Sequence, residues 1–252
     1  MLANLDGLLW LLLLLGPLLF TQRRLHLEIQ SIFLLLTRSR EISLVIFSFI
    51  FLPGVLLHEL SHFIMAKLLR VRTGRFSLIP QPLEDGRLQL GYVETSRTDL
   101  VRDSFIGAAP LVAGGIFVTY AGLSRLGLSQ LWDGFVASSL AGLWEGIRIV
   151  HQQPDFWLWF YLIFTVSSTM LPSASDRRAW GPLALILTLL AVVSLLAGAG
   201  PWLLQHVMPT LNEGLQVLVT VFGISLAIHF VLVVPLWVIR MGFSRLIPIK
   251  VV

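Results

Sequence analysis

Charge is what this chain has least of. Lys, Arg, Asp and Glu make up 13% of its 252 residues, about half the roughly 25% usual in soluble domains. So few ionised groups fit a protein whose main solvent is a lipid bilayer. Cysteine is absent. Its absence excludes disulfides and thiolate metal sites, and it leaves no redox signature of a compartment. Lysine occurs only at Lys67 and Lys250, and the remaining basic residues are arginines. There is no long basic tract and no basic run interleaved with aromatics, so the net charge of +4 is not the footprint of a nucleic-acid binder. It fits loops lying against anionic lipid headgroups. Repeats, low-complexity tracts and long linkers are also missing, so residues 1–252 read as a single membrane domain.

Apolar residues dominate, at 56% of the chain with a mean hydropathy of +0.84. A helix needs roughly 20 mostly apolar residues to cross the hydrocarbon core. The expected fold is an all-α polytopic membrane protein with about six transmembrane helices and a small membrane-adjacent β-hairpin. The candidate spans are Leu2–Phe20, Ile42–Met65, Phe105–Leu123, Phe156–Leu171, Trp180–Leu196 and Leu215–Ile239. The first lacks a basic n-region and a small-x-small cleavage site, and so reads as a retained span rather than a signal peptide. Leu25–Thr37 and Phe135–Val150 read as interfacial helices. The hairpin is expected where Arg75–Pro80 and Arg87–Glu94 flank Pro82–Gly86, with Asp85-Gly86 as its turn.

Loop charge suggests an orientation. The segment after the second span carries Lys67, Arg70, Arg72, Arg75, Arg87, Arg97 and Arg102, which predicts a cytoplasmic loop. Alternation then puts Arg177, Arg178, Arg240, Arg245 and Lys250 on the same side, and Pro201–Gly214 outside. Arg23, Arg24, Arg38 and Arg40 fall against the rule. The expected location is multi-pass, in a bacterial cell inner membrane, with the site near the cytoplasmic face.

The chemistry is concentrated in His58-Glu-Leu-Ser-His62. Residues i and i+4 lie on one helix face, a turn apart, so two imidazoles at that spacing can grip one ion. Glu59 projects about 100° around the helix from His58, where it can act on a water without being a ligand. These ionisable groups sit near the end of an apolar span, where each charge costs roughly 2.5–3.5 kcal/mol at mid-bilayer. A metal ion offsets most of that penalty. Pro53-Gly54, one turn earlier, weakens the helix and serves either to admit water or substrate or as a packing kink.

A catalytic zinc takes three protein ligands and keeps one position open. Asp176 is the best third candidate, because it follows the fourth span and topology returns it to the His62 side. Pairing of Asp176 with Arg177, Arg178 or Arg72 is the alternative. His229, deep in the last span, is a weaker candidate, and a cross-helix hydrogen bond suits it better. His151, Asp155, His206 and Glu213 fall on the predicted far side, while Glu94 and Asp99 read as solvated loop acids.

With His58-Glu-Leu-Ser-His62 in a span, a basic hairpin-like loop after it, and Pro172-Ser-Ala-Ser-Asp176 after a later span, the chain resembles the site-2 protease family of intramembrane metalloproteases. The likeness covers residues 42–180, leaving 1–41 and 181–252 as accessory helices. It implies a three-span core with zinc on His58, His62 and Asp176, and with Glu59 as the catalytic base. It implies a membrane-dipping hairpin over Arg75–Glu94, and a middle span in which Gly107-Ala-Ala-Pro110 is similar to the family's Gly-x-x-Pro element. Members cleave membrane-embedded or membrane-adjacent segments, so the implied partners are a membrane protein or peptide substrate and the bilayer. Where the family's last motif has an Asn this chain has Ser168, and Arg177 replaces the Gly after the Asp. Two other functions share these residues. One is a non-proteolytic, zinc-binding relative that binds or chaperones membrane partners. The other is a metal transporter that uses His58, Glu59, His62 and His229 along a pathway.

Overall fold

The computed structural model describes residues 6–82, 88–130 and 140–246. Helices α1 (Asp6–Thr37) and α2 (Arg40–Leu68) come first. They form an antiparallel pair. The Ser43 hydroxyl near the start of α2 donates to the Gln30 carbonyl of α1, and Phe47 and Phe51 pack on His26. Ser39 caps α2 by accepting the Ile42 N–H. At its far end, the Val71 N–H returns to the Ala66 carbonyl while Arg70 takes a left-handed φ of 57°. That reverse turn stops the helix in the way a glycine usually does.

Four short strands follow: β1 (Thr73–Ser77), β2 (Gln81–Pro82), β3 (Leu88–Gln89) and β4 (Tyr92–Thr95). β1 pairs antiparallel with β4, with Phe76 opposite Val93, and β2 pairs with β3 further out. The expected hairpin is therefore present. Its Asp85-Gly86 turn lies outside the described residues.

Helix α3 (Leu100–Tyr120), capped by Asp99, continues through a π-helical turn to Arg125. Then come α4 (Leu140–His151), α5 (Phe156–Thr169) and α6 (Trp180–Leu196). The last helix, α7 (Met208–Leu246), is entered through helical turns that begin at Gly200.

Among the described residues, four helical stretches are long and apolar enough to cross a membrane: Asp6–Thr37, Arg40–Leu68, Leu100–Arg125 and Gly200–Leu246. α5 and α6 are apolar but have 14 and 17 residues, about 21 and 25 Å of helix against a hydrocarbon core of about 30 Å.

Three sequence expectations change. Leu25–Thr37 is not a separate interfacial helix but the second half of α1. The helix survives its polar stretch because those side chains find partners. Gln22 donates to the Ser168 carbonyl, and buried Glu28 pairs with Arg24 and Arg240. Pro201–Gly214 is helical rather than an outside loop.

The third change concerns orientation. α1 and α7 run in the same direction, with the Gly7 N–H on Asn212 at one end and Glu28 on Arg240 at the other. Arg240 therefore lies in the half of the bundle toward the α1–α2 junction, while Lys67 and Arg70 stand at the opposite end of α2. Arginines flank both ends of the bundle, so alternation by loop charge does not hold for the C-terminal helix.

The core lies where α1, α2, α3, α5 and α7 meet, around Leu18, Phe51, Val118, Ile163, Met170 and Val221. Pro53-Gly54 serves packing. α2 is continuous there, and a Cβ on Gly54 would meet the Thr165 carbonyl of α5 at 2.3 Å. This close approach holds α5 parallel against α2, with the Tyr161 hydroxyl on the Ile50 carbonyl.

Candidate metal centre

His58 and His62 sit one turn apart on α2, with their Nε2 atoms 3.2 Å apart. Each ring is anchored through its other nitrogen. His58 Nδ1 lies 2.6 Å from the Thr169 carbonyl oxygen at the end of α5, and His62 Nδ1 lies 2.7 Å from the Ile106 carbonyl oxygen of α3. A carbonyl only accepts, so both Nδ1 atoms carry the hydrogen and both neutral rings present a lone pair at Nε2. Two lone pairs at that separation repel each other unless a cation lies between them. Imidazoles oriented in this way by an outer partner are the usual setting for metal-binding histidines.

Asp176 supplies the third group. Its Oδ1 lies 3.4 Å from His62 Nε2 and its Oδ2 lies 3.7 Å from His58 Nε2. His58, His62 and Asp176 form a group that can hold a metal ion, with one ligand atom of each lying within 4.8 Å of the others. Tetrahedral bonds of about 2.0–2.1 Å place ligand atoms about 3.3 Å apart, and the two Nε2 atoms, 3.2 Å apart, are close to that, with each facing a different oxygen of Asp176. The Ser173 N–H donates to Asp176 Oδ2 at 2.7 Å and holds the carboxylate in place.

The loop that carries Asp176 is fixed on α3. Its backbone passes so close to Gly107 that a Cβ there would stand 1.9 Å from the Asp176 carbonyl oxygen. Arg178 makes a two-pronged pair with Asp103 at the start of α3, both contacts at 2.7 Å. Arg177 donates to the Ser173 carbonyl at 3.2 Å. The two arginines next in sequence are thus directed elsewhere, and Asp176 faces the histidines.

Glu59 is buried and lines the same cleft of about 700 Å³ as His58, His62 and Asp176. Among the described residues it has no hydrogen-bond partner, which leaves its carboxylate free for a water or substrate group. The segment entering β4 rests on it. A Cβ at Gly91 would lie 2.9 Å from Glu59 Cγ and 3.1 Å from its Oε1. β4 residues Tyr92, Val93 and Thr95 form one wall, and the Asp176 loop forms another.

The weaker sequence candidates do not join the site. His229 is fully buried; its Nδ1 donates to the Ser225 carbonyl at 2.7 Å and its Nε2 accepts from the Ser168 hydroxyl at 2.9 Å. Asp99 caps α3, and Glu94 accepts the Arg75 N–H at 3.1 Å. His206 stacks on Trp202, and His151 packs against Phe156.

Sequence reasoning missed the anchoring carbonyls of Thr169 and Ile106, which no side-chain pattern announces. It also missed Gly91 and His26, both of which line the cleft. A histidine in an apolar helix is the signal that marks His26. No protein-family model matches this chain, and no similar protein was found among the curated proteins or the solved structures.

Proposed function

We propose that this chain is an intramembrane zinc metalloprotease that hydrolyses peptide bonds of membrane-embedded or membrane-adjacent substrates. The observation that carries this function is one cleft within an apolar bundle. It combines two imidazoles locked by backbone carbonyls, a converging aspartate, and a separate buried glutamate with no hydrogen-bond partner among the described residues. Two nitrogens and a carboxylate suit zinc, with an open fourth position. A zinc ion held by His58, His62 and Asp176 would supply Lewis-acid chemistry and lower the pKa of water.

The chain's own residues do the rest. Glu59 accepts a proton from the attacking water and passes it to the leaving amine nitrogen. β4 is paired on one side by β1 and lines the cleft, so an extended substrate segment adds along it and presents its carbonyls. Four long helices embed the site in the bilayer; α5, which precedes the Asp176 turn, is a fifth membrane-embedded helix and α6 a sixth.

The test compares wild type and Glu59→Gln, purified with their metal quantified and reconstituted with candidate membrane substrates. The expected result is zinc in both and cleavage by wild type alone. Equal cleavage by both would remove Glu59 from the mechanism. Zinc in both with cleavage in neither would favour a non-proteolytic, partner-binding relative.

A further inference from the structure

The last turn of α5 leaves two carbonyls without their helical partners. In an unbroken helix the Ser168 carbonyl would accept from residue 172, but Pro172 has no N–H. The Thr169 carbonyl would accept from Ser173, whose N–H goes instead to Asp176 Oδ2. Both carbonyls are satisfied from other helices. The Thr169 carbonyl takes the Nδ1 hydrogen of His58 on α2. The Ser168 carbonyl takes the side-chain amide of Gln22, which reaches it from α1. The Ser168 hydroxyl is bonded in turn to His229 Nε2 of α7 at 2.9 Å. The turn is thus gripped from α1 and α7, two helices that supply no metal ligand.

The metal centre is built on this turn. One of its carbonyls locks the His58 ring, and the chain leaving it carries Asp176. Without Gln22 the Ser168 carbonyl would be unpaired where water is scarce, and the turn would have to rearrange to find another donor. Rearrangement moves the Thr169 carbonyl, the next along the chain, and with it the His58 ring. Metal–ligand distances tolerate only about 0.2 Å of such movement. We infer that Gln22 is a positioning residue of the metal centre, which holds His58 in place for the ion through the last turn of α5. It touches neither the ion nor a substrate. The inference rests on the metal centre of the proposed function and not on proteolysis.

The test reads metal binding by the full chain in phosphatidylcholine bicelles. Gln22→Met keeps the length of the side chain and removes its donor. Gln22→Asn keeps the amide but is one carbon too short. Gln22→His returns an N–H at about the reach of the original amide. Zinc affinity is measured by chelator competition, and Co2+ in place of zinc reports coordination geometry through its visible absorption. Gln22→Met and Gln22→Asn should each weaken zinc about 10-fold, the low end of the range found when a group supporting a ligand is lost, and should alter the Co2+ spectrum. Gln22→His should recover most of both. Asn212→Leu is the comparison, because Asn212 also joins α1 to α7, accepting the Gly7 N–H at 3.0 Å and donating to Asp6 at 2.7 Å. That contact lies about 22 Å along α1 from Gln22, so its loss should lower the melting temperature and leave zinc affinity and the Co2+ spectrum unchanged. Wild-type zinc affinity and spectrum in Gln22→Met overturn the inference. So does a loss in Gln22→His or Asn212→Leu as large as that in Gln22→Met. A wild-type chain that binds neither ion defeats the metal centre and this inference with it, whereas bound metal indifferent to Gln22 defeats this inference alone.

Discussion

Replacing Gly107 by alanine should cost the protein its third metal ligand without touching any ligand residue. The new Cβ would stand 1.9 Å from the Asp176 carbonyl oxygen, where a relaxed carbon–oxygen contact needs about 3.3 Å. Relieving this contact requires a shift of about 1.4 Å, and metal–ligand distances tolerate only about 0.2 Å. α3 is held on α2 by the Ile106 carbonyl at His62, so the exposed Asp176 turn gives way first. Zinc affinity should fall about 10- to 100-fold, the range found when a group supporting a ligand is lost, which corresponds to about 1.4–2.8 kcal/mol. Chelator competition on purified protein, with metal measured after gel filtration, reads this directly. Gly223→Ala is the control, since a Cβ there meets nothing within 4 Å. A double-mutant cycle with Asp176→Asn adds a second check. If Gly107→Ala acts through Asp176, the two losses overlap rather than add. Unchanged zinc affinity in Gly107→Ala, or full additivity with Asp176→Asn, would refute the geometry.

Gly54→Ala should drive α5 off α2, because its Cβ would meet the Thr165 carbonyl at 2.3 Å. A loss of about 1–3 kcal/mol in unfolding free energy is expected for such overpacking, and equal thermal stability would count against the helix pairing. Removing the metal with a chelator should lower the melting temperature; an ion present at 1,000 times its Kd contributes about 4 kcal/mol, so an unshifted transition argues against a bound metal. The chain has no cysteine, so single-cysteine variants report topology cleanly. Arg38→Cys and Arg245→Cys should react with a membrane-impermeant thiol reagent from one side and Arg70→Cys from the other. Labelling of Arg70→Cys and Arg245→Cys from the same side would restore the charge-based alternation and contradict the α1–α7 arrangement.

The local features were legible because they depend on short-range periodicity. His58, Glu59 and His62 announce themselves through i, i+4 spacing in an apolar run, and a helix places them as expected. The strand pair after α2 follows from alternation between turn residues. Asp176 was reachable by counting spans, but its contact with the histidines depends on packing at Gly107 and on the Arg178–Asp103 pair. Hydropathy misjudged Leu25–Thr37 and Pro201–Gly214 because it sees polarity without seeing partners. A helix continues through Gln22 and Glu28 when Ser168 and Arg240 satisfy them from distant parts of the chain.

By itself the sequence determined the solvent, the helical character and the pair of imidazoles with its neighbouring acid. Those follow from composition and from the geometry of a single helix. Tertiary structure alone decided which carbonyls lock the two rings, which acid faces them, how closely β4 approaches Glu59, and that a histidine of α1 lines the cleft. Each of these is a contact between residues far apart in the chain, set by how closely backbones can approach and by which buried polar groups still need a partner.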